Sequence, residues 1–109
     1  MTTTIYVSIG RNVGKAPMAR PSWNNFAEEV VYAVENYHGN IFFRGYGQGA
    51  YDGTTEDSYV VGATIAEGML IHLRTVLAEL AEKYSQECIA LVSGDTDFIG
   101  ATNYDGERS

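Results

Sequence analysis

From Thr3 to Ile9 the chain alternates, with Ile5, Val7 and Ile9 on one side and Thr4, Tyr6 and Ser8 on the other, the period of a strand with one buried face. Residues 10–21 break that pattern with two glycines and two prolines and read as a long loop. Ser22 is the expected N-cap of a first helix over 22–37. In it Trp23, Phe26, Ala27, Val30, Val34 and Tyr37 recur at helical spacing, and Gly39 is expected to supply a left-handed exit. A second extended segment, 41–51, places Phe42, Arg44, Tyr46 and Gln48 on one side and Ile41, Phe43, Gly45, Gly47 and Gly49 on the other. The Asp52-Gly53 turn signal predicts a hairpin with a third strand over 58–65.

A second helix is expected over 66–86, from Leu70, Leu73, Leu77, Leu80, Ala81 and Tyr84, with Glu79 and Lys83 as an exposed pair one turn apart. The apolar run 88–92 predicts a short buried fourth strand, and a polar tail over 100–109 closes the chain. This order, strand, helix, strand, strand, helix, strand, predicts a single α+β domain over 1–99. Its economical form is a ferredoxin-like βαββαβ sandwich, two helices on one face of a four-stranded antiparallel sheet.

The chain's 109 residues suit one domain, and its single cysteine, Cys88, excludes an internal disulfide. No apolar run is long enough to span a bilayer, and the opening residues lack a signal-peptide pattern, so a cytoplasmic location is expected, with no membrane partner. The net charge of −7 is unevenly spread. Residues 1–51 hold four bases (Arg11, Lys15, Arg20, Arg44) and three acids, whereas residues 52–109 hold three bases and eleven acids. Such acidity disfavours duplex DNA as a partner, but a small anion held by a few local arginines is compatible with it.

Candidate chemistry follows from these elements. If the helices cover Ile5, Val7 and Ile9, the opposite sheet face is expected to show Tyr6 with Phe42, Arg44, Tyr46, Gln48 and Tyr59, a set suited to stacking on a base and holding phosphate. The same aromatic face suits a homo-oligomer interface. Alternating Gly45, Gly47 and Gly49 are expected to let helix two or Trp23 approach the strand closely. The loop before helix one gathers Arg11, Asn12, Lys15 and Arg20 beside a helix N-terminus, a favourable place for an anion. His38 and His72 read as surface residues without a nucleophile to partner, and Cys88 reads as core. No cofactor is expected.

Two resemblances extend this reading. The segment Ser93-Gly-Asp-Thr-Asp-Phe98 resembles the strand end of NYN/PIN-type nucleases, which implies Asp95 and Asp97 as metal ligands. The first strand departs from that family, because Ile9 stands where those nucleases carry an aspartate ligand. The opening Thr4-Ile-Tyr-Val-Ser-Ile-Gly-Arg-Asn-Val-Gly14, taken with Glu87-Cys-Ile-Ala-Leu-Val-Ser-Gly94, resembles a group of small proteins of actinobacterial bacteriophages. That resemblance implies an accessory protein acting in the host cell, for example against host defences.

The function expected from the whole is non-enzymatic sequestration of a small nucleotide-like anion. Arg11, Asn12, Arg20 and Arg44 would meet phosphate, and Trp23, Tyr46 or Tyr59 would stack on a base. The alternatives are inhibition of a host protein through the acidic half, with Glu56, Asp57, Asp95, Asp97 and Glu107, and the metal-dependent nuclease.

Overall fold

The computed structural model describes residues 1–51, 53–97 and 99–100. The expectations placed on Asp52, Phe98, Glu107 and the tail over 101–109 lie outside the described residues.

Among the described residues eight elements follow in the order β1 (Thr2–Gly10), β2 (Asn12–Val13), β3 (Ala16–Pro17), α1 (Arg20–Asn36), β4 (Asn40–Tyr51), β5 (Thr54–Ala66), α2 (Glu67–Lys83) and β6 (Ala90–Gly94). The main sheet is antiparallel with the order β4-β5-β1-β6, so the first strand lies between the third and fourth long ones, as the ferredoxin-like expectation requires. Ile5, Val7 and Ile9 pair across to Ala63, Val61 and Tyr59, and all six side chains are buried against the helices. Phe26, Val30 and Val34 of α1 and Leu73 and Leu77 of α2 close the core from above.

Several local expectations are corrected. The stretch after β1 is a small β2–β3 hairpin turning at Gly14 (φ 65°), rather than an irregular loop. Helix α1 starts at Arg20 with Ala19 as N-cap and no side-chain cap; Pro21, whose fixed φ suits a first turn, carries the helix start upstream of Ser22. His38 (φ 64°), not Gly39, takes the left-handed conformation at its exit. Gly39 is needed for room instead, since a Cβ there would stand 2.8 Å from the Val34 carbonyl oxygen.

Strand β6 is an edge strand whose residues are mostly exposed, and Cys88 precedes it in solvent. An apolar run there signals contact with β1 along one side and not burial on both faces. Lys83 also departs from its expected helical partner: its Nζ lies 2.9 Å from Glu29 Oε1 on α1, tying the two helices together.

Candidate functional site

Strand β4 decides which side of the sheet carries chemistry. Ile41 is opposite Ala63, but Phe43 is opposite Gly62, so one extra residue is accommodated in a bulge. Before the bulge Ile41 shares the inner, helix-facing side with Ala63. After it the inner side belongs to Arg44, Tyr46 and Gln48, opposite Val61, Tyr59 and Asp57. Phe42 and Phe43 both fall on the outer side: a Cβ on Gly62 would touch the Phe42 ring, and one on Gly45 would touch the Phe43 ring.

The aromatic face expected from alternation is therefore two separate surfaces. Tyr6 and Phe42 meet edge to face on the outer side, with ring centroids 5.9 Å apart. Arg44, Tyr46 and Tyr59 lie on the inner side, where the hairpin meets the first turns of α1. Gly45, Gly47 and Gly49 are paired with Val60, Ser58 and Glu56 on the outer side, so they do not admit helix two or Trp23 as expected.

The inner cluster is layered. Trp23 is buried, with its ring centroid 6.4 Å from that of Tyr46, and Tyr46 lies 4.8 Å from Tyr59. Phe26 continues the row beneath Trp23 and stacks on Tyr84 at 4.5 Å. Tyr59 is buried, whereas Tyr46 is 66% exposed and presents the ring that a solute can reach. Burial pushes the Tyr59 hydroxyl up, while the Arg44 guanidinium beside it pulls the other way. Arg44 is exposed, and neither it nor Arg20 makes an ion pair among the described residues. Chemically, this is a cation beside an exposed ring propped by two buried ones.

Arg11 and Asn12 are engaged elsewhere. Arg11 Nε donates to the Met18 carbonyl at 2.9 Å, and its Nη1 lies 3.3 Å from Asp57 Oδ2. The Asn12 N–H donates to Glu56 at 2.8 Å, and its carbonyl accepts from Gln86 at 3.0 Å. These bonds fasten the β2–β3 hairpin onto β5 and the end of α2. Beside them is a cavity of about 430 Å³ lined by Asn12, Lys15, Glu56, Gln86, Glu87 and Cys88. Two carboxylates facing one ammonium make it a poor host for an anion.

Asp95 and Asp97 follow β6 and are exposed, and no group of three potential metal ligands occurs among the described residues. The signal for the inner cluster was present in the hairpin register, which places Tyr46 opposite Tyr59. The contribution of Trp23 as a prop was not readable, because it depends on where α1 lands on the sheet.

No protein-family model matches the chain, and no curated protein matches it. Solved structures do. A phage SAM lyase in its apo state is similar with a TM-score of 0.55 at 17% identity, over 94% of this chain and 92% of that one. The fold is ferredoxin-like. A protein of unknown function from Galdieria sulphuraria matches with a TM-score of 0.53 at 12% identity, covering 88% of this chain and 49% of that chain. The de novo designed protein Foldit4 matches at 0.51 and 8% identity, over 88% and 97%. At these identities the likeness is one of fold.

Proposed function

We propose that this chain is a non-enzymatic, phage-type accessory protein that captures a small nucleotide-like anion on the inner side of the β4–β5 hairpin. Arg44 meets the anionic group and Tyr46 stacks on the base, with Tyr59 and Trp23 holding the Tyr46 ring in place. Arg20, at the start of α1, adds a second cation. The observation that carries this reading is the pairing of an exposed ring with an exposed guanidinium that has no ion-pair partner among the described residues. Arg–phosphate contact and base–aromatic stacking are the two contacts a nucleotide needs.

The likeness to a phage SAM lyase over nearly the full length of both chains supports the phage context, and SAM is itself an adenosine derivative. Arg11 and Asn12 leave the contact set and act as supports for the β2–β3 hairpin.

The test is thermal shift and calorimetry against cyclic dinucleotides, cyclic trinucleotides, ADP-ribose derivatives and SAM. A ligand present at a hundredfold excess over its Kd should stabilise the fold by about 2.7 kcal/mol. Arg44→Ala should abolish the shift while leaving the ligand-free melt unchanged, and Tyr46→Ala should abolish it at a cost of about 1 kcal/mol from the lost contacts with Tyr59 and Trp23. The reading fails if no member of the panel stabilises the protein, and product release from any of them replaces sequestration with catalysis.

A further inference from the structure

The outer side of the sheet is a surface of a different kind. Phe42 is 53% exposed, Phe43 50% and Val92 63%, and they flank Tyr6 of the central β1 from the edge strands β4 and β6. The registers place only Thr, Ser, Gly, Ala, Asn, Val, Tyr and Phe on this side over Thr2–Gly10, Ala90–Gly94, residues 40–49 and residues 58–66. Among the described residues no charged side chain interrupts it until Glu56, opposite Gly49. Glycines keep the relief low: Gly62 lies under the Tyr6 and Phe42 rings, and a Cβ there would stand 2.8 Å from Tyr6 Cε1.

We infer that this side is the interface with a second copy of the same chain. Charge selects that occupant. The chain carries a net charge of −7, and its helices display exposed acids such as Glu28, Glu35, Glu79 and Glu82, so two copies repel wherever those surfaces meet. A basic partner gains its attraction from the acidic helices and nothing from a neutral sheet. A second copy offers a matching neutral face, and joining the two sheets leaves the helix acids of both chains on the far sides.

The area suffices. With β6 five residues long and the other three strands giving about ten residues each, strands about 4.8 Å apart at 3.3 Å per residue cover roughly 550 Å² on each copy. Two such faces approach the lower bound of roughly 1,200 Å² for specific interfaces. Tyr6 on the central strand β1, and the Phe42 ring that leans from the edge strand over Gly62 to meet it, supply aromatic anchors toward the middle of the face, where binding energy concentrates.

Sedimentation velocity tests this directly. The parent protein should sediment as an assembly from the low micromolar range upward, and Phe42→Asp and Val92→Asp should each weaken association at least tenfold. These positions lie on opposite edge strands, so loss of folding in one variant leaves the other to report, with far-UV circular dichroism as the check. Ile71→Asp, on the exposed side of α2, should assemble like the parent. A parent that is monomeric at roughly 100 µM, where even contacts of about −5.5 kcal/mol are half occupied, overturns the inference. So does assembly that survives both sheet variants or is lost only in Ile71→Asp.

Discussion

The Tyr84 hydroxyl donates a hydrogen bond to the Glu29 carboxylate, joining the end of α2 to the middle of α1. The Tyr84 ring also stacks on Phe26, so one residue supplies both apolar and polar contact between the helices. Burial pushes its hydroxyl up, and the neighbouring Glu29 adds to this, to about 12. Glu29 is pulled both ways: burial raises it, but Tyr84 and Lys83 outweigh burial and hold it below the usual carboxylate value.

This pair sets a pH signature. Because Tyr84 holds its proton more tightly when folded, its contribution is complete below its ordinary value of 10.0 and fades as pH climbs toward about 12. Glu29 contributes above the ordinary 4.5 and is lost as pH falls through its lower folded value. Tyr84→Phe should cost about 1 kcal/mol near neutrality, roughly 4 °C in Tm, after allowance for partial exposure. The gap between parent and variant should narrow as melts are taken from about pH 9 to 12; a constant gap would mean that the hydroxyl contributes nothing through its proton.

Two glycines of β4 and its approach should respond oppositely to alanine. At Gly39 a new Cβ presses on the Val34 backbone carbonyl, which cannot swing aside, and Gly39→Ala should destabilise by about 2 kcal/mol. At Gly49 nothing lies within 4 Å, and Gly49→Ala should be neutral or stabilising by up to about 0.5 kcal/mol. Urea midpoints of both variants decide it, and equal effects would refute the steric account.

The two arginines separate support from binding. Arg11 is tied to Met18 and Asp57, so Arg11→Ala should lower stability by about 1 to 2 kcal/mol and leave any ligand-induced shift in place. Arg44→Ala should do the reverse. Melting curves with and without ligand for both variants provide the measurement, and a shift lost in Arg11→Ala alone would move the site to the cavity near Asn12.

Leu73 is the one residue of α2 with no exposed surface, and it belongs to the same core as Ile5 and Ile65 of the sheet. Leu73→Ala should cost about 3 kcal/mol, a large part of what holds a domain of this size together. Chemical denaturation would show it as a lower midpoint at unchanged slope. Ile71→Ala, two positions away and exposed, should change little.

The element order and the buried face of β1 were legible because Ile5, Val7 and Ile9 and the leucines of α2 carry clean periods that packing then uses. What misled was non-local. Nothing in Phe42-Phe43-Arg44 announces a bulge, yet it moves Arg44 and Tyr46 from the open side of the sheet to the helix side. The apolar run ending at Val92 reads alike at a centre or an edge, and only the strand order puts it at the edge and leaves Cys88 in solvent. Arg11 and Arg20 look equivalent in a basic loop. Their different fates depend on Asp57 and Met18, one of them 46 residues away along the chain.

The bulge in β4 also makes the two sides of the hairpin separable by length alone. Deleting Phe42 would leave Ile41 opposite Ala63 and Phe43 opposite Gly62, so plain alternation would return with Arg44 and Tyr46 still on the helix side. A change of one codon would thus remove one ring from the aromatic sheet face while leaving the cation and its ring in place, so descendants of this chain can thin an assembly surface and keep a ligand surface by deletion without a single substitution.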